Sequence, residues 1–222
     1  MSDPHPSRLV EDYLTLIWKA QEWPSAEPST TDLARQLGVT ASTVSANLKK
    51  LSRQGLIEYQ PYGRIRLTPA GSELAVPIVR RHRLIETYLV KRLGLGWDEV
   101  HEEADRLEHA VSELVLDRMD IALGHPEHDP HGDPIPKADG TVPAIDDQAL
   151  PDVPSGIRVQ VSRVRDRSPE VLRHLEDVGI RVNRTLTVRH VNRDAGVVRV
   201  EIDATPVDLS LTAADAVRVA RS

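Results

Sequence analysis

The chain has 222 residues, of which 40% are hydrophobic and 28% are charged, and its formal net charge is −6. This composition is typical of a globular protein and excludes a largely disordered chain. Because the sequence contains no cysteine, disulfides, thiol chemistry and cysteine-ligated metal clusters are excluded as well. We recognise neither a secretory signal nor an apolar run of the roughly 18 residues that a membrane span needs, and therefore expect a cytoplasmic protein without a membrane partner.

The first part of the chain has the pattern of three helices followed by a β-hairpin. A first amphipathic helix is predicted over 8–21, and Thr31 is the candidate N-cap of a short helix that stops at Gly38. The run ASTVSANLKKLSRQG, which begins at Ala41, predicts a further helix after a tight turn. LIEY and RIRL alternate around QPYG, which predicts a hairpin. This order is typical of a winged helix-turn-helix.

The second helix of this motif combines small hydroxyl side chains with a local positive charge. Residues 40–66 contain five basic residues and one acidic residue, a local charge of +4 in an acidic chain. Hydroxyl groups can bond to phosphates and base edges without holding a helix away from the groove. We therefore expect double-stranded DNA as a partner, with contacts from Thr40, Ser42, Thr43, Ser45, Lys49, Lys50 and Arg64.

Two more helices are predicted after the hairpin. Pro69 marks the first turn of one of them, Pro77 predicts a kink or a restart within it, and it extends to Leu93. Asp98 is the candidate cap of a single long helix that extends to about Leu123.

The predicted long helix carries four side chains of metal-ligating types. Their spacing of i, i+4, i+7 and i+8 places them on one helix face, and they are His101, Asp105, Glu108 and His109. Such a face is a poor core but a suitable ligand set. His82 and Glu86 form a similar i, i+4 pair on the preceding helix, and Asp12 lies on the first helix. A solvated helix surface is the competing interpretation, especially for Glu102 and Glu103.

Residues 124–156 are dense in Pro, Gly, Asp and His, which predicts a connecting segment. Its three histidines, which are His125, His128 and His131, are candidates for a third metal site, but the prolines disfavour it because they make a fixed geometry unexpected. Beyond it, IRVQVSRV, TLTVRHV, VVRVEID and VDLSL alternate as short strands, with a helix over about 168–178 between the first two. Short strands around one helix predict a small half-open barrel of SH3-like type.

Together these features resemble the diphtheria toxin repressor family of metal-dependent transcription regulators. The resemblance covers essentially the whole chain and rests on STVS in the second helix, RRHRLIE at 80–86, VHEEA at 100–104, LEHAVS at 107–112, GDPIP at 132–136 and LEDVGI at 175–180. It implies a mainly α protein with a small β part. The implied organisation is a winged helix-turn-helix domain at 1–69, a helical metal-binding and dimerisation domain at 70–136, a linker at 137–155 and an SH3-like, FeoA-like domain at 156–222.

The resemblance also implies two metal sites. The primary site corresponds to Asp12, Asp105, Glu108 and His109, and the ancillary site to His82, Glu86 and His101. Three-domain members complete the ancillary site with C-terminal oxygens, for which the loop at 165–170 offers Asp166 and Glu170. Thr15 stands where some two-domain members carry an acid for a compact pair of ions, so two separated sites are expected.

The ligand types favour one metal. Members of the iron-sensing branch have Met and Cys where this chain has Asp12 and Asp105, and carboxylates suit a harder cation such as Mn²⁺. The resemblance therefore implies the manganese-sensing branch. Fe²⁺ is the alternative in the cell, and Zn²⁺, Co²⁺ or Cd²⁺ are expected to substitute in vitro.

We therefore expect a manganese-dependent repressor that binds a palindromic operator as a homodimer, with no enzymatic activity and no organic cofactor. In this mechanism the first helix is pinned to the dimerisation domain when a divalent ion binds. Three alternatives stay open: an iron-dependent repressor of the same family, a regulator controlled by an organic ligand or partner protein, and a metallohydrolase. The last is disfavoured because His101-Glu102 begins the zinc-protease pattern HExxH and Asp105 breaks it.

Overall fold

The computed structural model describes residues 7–23, 28–60, 63–166 and 168–221. The chain divides into two compact units. The N-terminal unit comprises residues 1–81 with 136–141, and the C-terminal unit comprises residues 82–135 with 142–222. None of the helices within the described ranges is long and apolar enough to cross a membrane.

The described residues of the N-terminal unit form three helices, a two-stranded hairpin and the first turns of a longer helix. These elements are α1 (Arg8–Gln21), α2 (Thr30–Leu37), α3 (Ala41–Arg53), β1 (Ile57–Tyr59), β2 (Ile65–Leu67) and the start of α4 (Pro69–Tyr88). The two strands pair antiparallel, with Ile57 opposite Leu67. Residues 61–62 of the predicted hairpin turn lie outside the described residues. The predicted winged helix-turn-helix is confirmed.

A shared apolar core packs α1 against α3. Tyr13, Leu14 and Ile17 of α1 are buried in one cluster with Val44 and Leu48 of α3. Their spacing of three and four residues is that of one helix face in each element. Because core side chains are closely packed, a displacement of α1 is transmitted to α3.

Capping residues explain where α2 begins and ends and where α3 begins. Ser29 is the N-cap of α2, since its hydroxyl accepts a backbone N–H at 3.0 Å, and Thr31 lies inside the helix. The prediction of Thr31 as the cap was therefore wrong by two residues. Gly38 ends α2 with a φ of 64°, as predicted. Thr40 caps α3 by accepting the N–H of Thr43 at 3.2 Å.

The helix α4 continues without interruption through Pro77. It then passes into a π-helical turn over Leu89–Leu93 and ends at Gly94, whose φ is 75°. Proline removes one helical N–H donor, but Val76 and Ile78 on either side are buried. This burial favours a continuous helix, and the predicted restart at Pro77 was wrong.

The segment predicted as one long helix forms two. They are α5 (Val100–Leu107) and α6 (Glu113–Leu123). Ser112 adopts an extended conformation with a ψ of 156°, and its hydroxyl accepts a backbone N–H of α6. The extended residue and its cap interrupt the predicted helix, so Glu108 and His109 follow α5 instead of lying on it. The prediction of Asp98 as the cap was also wrong, because the N-cap position is Glu99, which makes no side-chain cap bond.

The C-terminal part of the chain forms a six-stranded antiparallel sheet in the order β3-β8-β4-β5-β6-β7. Its elements are β3 (Gln148–Ala149), β4 (Arg158–Val164), α7 (Pro169–Asp177), β5 (Thr185–Asn192), β6 (Val197–Ile202), β7 (Thr205–Ser210), α8 (Leu211–Asp215) and β8 (Val217–Arg221). The four predicted strands and the helix are confirmed, whereas β3, β8 and α8 were not predicted. The range predicted as a linker supplies β3 and the buried core residue Leu150.

Candidate metal centre

Acidic and histidine side chains of the C-terminal unit converge on one turn of α4. His82 and Glu86 lie one turn apart on this helix, with side-chain exposures of 0% and 1%. Burial of such groups is unfavourable unless they are paired or bind an ion. The position of this pair therefore identifies the centre of the site.

His82 lies between two groups of candidate ligands. Its Nδ1 is 2.7 Å from Glu108 Oε2 and 3.3 Å from Asp105 Oδ1. Its Nε2 is 2.9 Å from Glu86 Oε1 and 3.1 Å from His101 Nδ1. A neutral imidazole has one nitrogen lone pair, so His82 can serve as a ligand to only one of the two groups at a time.

The outer cluster consists of His82, Asp105 and Glu108, whose ligand atoms all lie within 4.8 Å of one another. Glu108 Oε1 is also 3.2 Å from His109 Nε2. The bend after α5 brings Glu108 and His109 to this place. Three of the four predicted primary ligands are therefore brought together, and Asp12 lies half-buried on α1 of the N-terminal unit.

The three predicted ancillary residues, His82, Glu86 and His101, are brought together with their ligand atoms within 4.8 Å of one another. Glu86 also belongs to an inner cluster with His131 and Asp166, whose ligand atoms lie within the same distance of one another. Asp166 Oδ2 is 3.4 Å from Nδ1 of His101, which in turn is 3.0 Å from Glu86 Oε1. Asp166 was a candidate from the sequence. Glu170, the other candidate from the same loop, is 79% exposed and does not join the cluster.

The arrangement of His131 and Glu86 fits a cation. His131 Nε2 is 2.7 Å from the carbonyl oxygen of Trp97 and donates to it, which leaves a lone pair on Nδ1. His131 Nδ1 and Glu86 Oε2 are both buried and lack a hydrogen-bond partner among the described residues. They lie 3.9 Å apart. A positive ion held by both atoms would satisfy both.

A tight turn in the segment predicted as irregular fixes His131. Oδ1 of Asp129 accepts the backbone N–H of His131 at 2.8 Å and that of Asp133 at 3.0 Å. His131 is fully buried and stacks on Trp97 with ring centroids 6.0 Å apart. The expectation that this segment lacks a fixed geometry was therefore wrong for His131.

The two other histidines of the segment do not join the clusters. His125 is 72% exposed and pairs with Asp120 at 3.1 Å, and His128 is exposed. The pattern DPHGDP carried the signal that sequence reasoning missed, because an aspartate side chain can accept the backbone N–H two residues on and a glycine supplies the positive φ of a tight turn. Such a turn can hold a histidine rigidly even when prolines flank it.

The pKa values of ionisable groups in and beside the inner cluster are shifted by burial and by neighbouring charges. Burial raises the pKa of Glu86, but the nearby His82, His101 and His131 outweigh burial and hold that pKa well below its usual range. Burial lowers the pKa of His131, but the carboxylates of Glu86 and Asp129 reverse this and raise it. Burial and the neighbouring acids raise the pKa of Asp129 to about 7. Cation binding at Nδ1 of His131 would therefore release protons.

The exposed face of α3 forms a separate candidate site for DNA. Thr40 and Thr43 bond to each other at 2.9 Å within the cap, and Lys50 and Arg64 are exposed. A groove of about 550 Å³ lies on this face, and its lining includes Ser42, Ser45, Ala46, Lys49, Arg53 and Tyr59. Hydroxyl and basic side chains around an open groove are suited to phosphates and base edges.

Comparison with known proteins adds the family to this geometry. Residues 7–65 match the iron dependent repressor N-terminal DNA binding domain, residues 68–137 match the iron dependent repressor metal binding and dimerisation domain, and residues 148–221 match the FeoA domain. The iron-dependent repressor IdeR of Mycobacterium tuberculosis is 34% identical over 192 residues, which are 81% of this chain and 83% of IdeR. The chain belongs to the diphtheria toxin repressor family.

Two further similarities extend over nearly the whole chain. The diphtheria toxin repressor of Corynebacterium glutamicum is 30% identical over 221 residues, 95% of each chain. A solved structure described as a manganese-dependent transcriptional repressor in complex with manganese has 44% sequence identity and a TM-score of 0.90, and the match covers 96% of this chain and 100% of that one. The protein is thus a metal-dependent, DNA-binding transcriptional repressor with a C-terminal SH3-like domain. Its family consists of repressors and not of enzymes.

Proposed function

We propose that this repressor responds to Mn²⁺, with Fe²⁺ as the second candidate. The composition of the two clusters carries the proposal, since they offer imidazole nitrogens and carboxylate oxygens only. The sequence has no cysteine, and its two methionines are Met1 and Met119, neither of which belongs to a cluster. Oxygen-rich sites suit Mn²⁺, whereas softer metals are favoured by sulfur. The structurally similar protein described as a manganese complex supports the same metal.

Two separate ions are proposed, one for each cluster. Asp105, Glu108 and His109 hold the first, with Asp12 as a further ligand from α1 and His82 available through its Nδ1. Glu86 and His101 of the expected ancillary set would hold the second together with His131 and Asp166, and His82 is available to it instead through its Nε2. His131 is an addition to the ancillary set expected from the sequence, and its support is the pair of buried atoms without hydrogen-bond partners.

The link from metal to DNA is proposed to run through α1. Asp12 precedes Tyr13, which is buried against α3. Asp12, Asp105 and Glu108 carry like charges, and a bound divalent cation would replace their repulsion with attraction. With Asp12 held, α1 and the α3 packed on it have one position. In a homodimer this sets the distance between two α3 helices, and a palindrome with half-sites about 34 Å apart requires such a preset distance.

The contacts with the operator are proposed to come from the groove face of α3 and from the hairpin. Ser42, Ser45 and Lys49 line the groove, and Arg64 lies at the start of the second hairpin segment. These side chains offer few bidentate contacts with bases. Phosphate contacts and DNA shape therefore carry much of the specificity.

The test is operator binding by chelator-stripped protein, titrated with Mn²⁺ and, under reducing conditions, with Fe²⁺. Asp105→Ala is the informative variant, because this side chain is 55% exposed and its loss affects folding little. Glu102→Ala is the matched control on the same helix, with a side-chain exposure of 76%. We expect metal-dependent binding by the wild type and the control, and folded protein without a response to Mn²⁺ for Asp105→Ala.

Other outcomes separate the alternatives. Activation by Fe²⁺ but not Mn²⁺ at cellular concentrations would make the protein an iron-dependent repressor. DNA binding that is independent of any metal would contradict the proposal and favour control by an organic ligand or a partner protein.

A further inference from the structure

The loop that carries His131 is fastened to the strand that leads to Asp166. The backbone N–H of Val164, at the end of β4, donates to the carbonyl oxygen of His131 at 2.8 Å. Gly132 approaches the same strand so closely that a Cβ in its place would lie 2.0 Å from the carbonyl oxygen of Ser162. The relative position of two inner-cluster residues is therefore set by contact between this loop and β4.

The side chain of a buried arginine of β4 strengthens the same contact between the His131 loop and the strand. Arg163 has a side-chain exposure of 3% and donates from Nη1 to Asp133 Oδ1 at 3.0 Å. Its Nε donates to Asp147 Oδ2 at 2.7 Å, and Asp147 also accepts from Arg218 Nε at 2.7 Å. Asp133 belongs to the His131 turn, so Arg163 links this turn to two strands of the sheet.

The opposite side of the turn is held by a second buried arginine. Arg83 of α4 donates from Nη1 to the carbonyl oxygen of Pro134 at 2.7 Å. Its guanidinium lies 3.5 Å from Asp129 and 3.6 Å from Asp133. Buried ion pairs add little net stability, but their directional bonds fix the groups that they join. The turn thus has one position between α4 and β4.

We propose that Arg163 is a positioning residue for the inner cluster. By bonding to Asp133 and Asp147, it holds the His131 turn on β4 so that His131 and Asp166 reach Glu86 together. Arg163 itself carries a positive charge and is not a metal ligand. This role rests on the proposed function, in which the inner cluster binds a cation.

The test is Mn²⁺ binding by the full-length, DNA-free protein, with free Mn²⁺ measured by electron paramagnetic resonance. The wild type is expected to bind two ions per chain. Arg163→Met should retain the first and weaken the second by about 10- to 100-fold, the usual effect of removing a group that orients a ligand. Arg163→Lys should restore part of this loss. Arg199→Met is the matched control, since Arg199 pairs with Asp208 in the same sheet at 55% exposure.

A second measurement needs no metal. Amide hydrogen exchange of Val164 in the metal-free protein should accelerate in Arg163→Met and stay unchanged in Arg199→Met. If Arg163→Met fails to fold, Arg163→Lys takes its place, because lysine keeps the buried positive charge but lacks the planar fork that joins Asp133 to Asp147. A smaller weakening of the second ion is then expected.

Two results would contradict the proposal, and they distinguish the inner cluster as a metal site from the positioning role of Arg163. A wild type that binds a single ion contradicts the inner cluster as a metal site and, with it, the role of Arg163. Two ions bound with unchanged affinity by a folded Arg163→Met protein contradict only the positioning role.

Discussion

The hydrogen bond between Tyr13 and Asn47 allows a quantitative test of how α1 is joined to α3. Nδ2 of Asn47 donates to the Tyr13 hydroxyl at 3.2 Å, and Tyr13 is 1% exposed whereas Asn47 is half-buried. Asn47→Ala leaves a buried hydroxyl without this donor, which costs about 1–3 kcal/mol. Tyr13→Phe removes the hydroxyl and leaves an amide that water can reach, so the expected cost is the ~0.5–1.5 kcal/mol of one hydrogen bond.

The two variants should therefore be unequal and non-additive. In the Tyr13→Phe background, Asn47→Ala should cost less than in the wild type, because no hydroxyl remains to be left without a partner. The assay is urea unfolding of the metal-free protein followed by circular dichroism, arranged as a double-mutant cycle with an expected coupling of about 1 kcal/mol. Equal costs for the two single variants, or costs that add in the double variant, would refute this reasoning.

Three further predictions concern other parts of the chain. Burial raises the pKa of Asp147, but bonds from Arg163 and Arg218 outweigh burial and hold this pKa below its usual value. The carboxylate therefore stabilises the fold above about pH 4, and this stabilisation is lost as the pH falls through the lowered pKa. In urea unfolding between pH 2 and 5, the free energy of unfolding of Asp147→Asn should depend less on pH than that of the wild type. Ser112→Ala removes the cap of α6 and should lower the free energy of unfolding by about 1 kcal/mol, measured by urea titration. Lys49→Ala should weaken operator binding about equally across sequences and reduce the slope of log K against log salt by about 1 in fluorescence anisotropy.

Elements set by local rules were predictable from the sequence. Gly38 and Thr40 end one helix and cap the next, and the alternation of IRVQVSRV follows the burial of β4 closely. The break between α5 and α6 was missed because apolar residues continue at helical spacing across it. Only the competing cap at Ser112 distinguishes two helices from one.

The place of His131 in the inner cluster depends on contacts that a single sequence does not reveal. His131 is fixed by Trp97, and its turn is held by Arg83 and Arg163, residues that lie 30 or more positions away in the chain. The outer cluster was easier to predict from the sequence, since Asp105 and Glu108 have nearly helical spacing. Even there, His82 joined this group through tertiary packing and not through any local pattern.

The inner cluster also shows why metal binding and stability should be linked in this protein. Most buried charges around it are paired, as in the bonds of Arg163 to Asp133 and Asp147. The facing atoms of Glu86 and His131 lie 3.9 Å apart and make no hydrogen bond among the described residues, although burial removes both from water. Leaving a buried polar atom unsatisfied costs roughly 1–3 kcal/mol, more when it is charged, and apolar side chains of similar volume would avoid this cost. Binding of a cation to the folded chain alone adds about 2.7 kcal/mol of stability at a hundredfold excess over Kd. Under the proposed function, the residues that weaken the metal-free fold are those through which a bound cation would strengthen it.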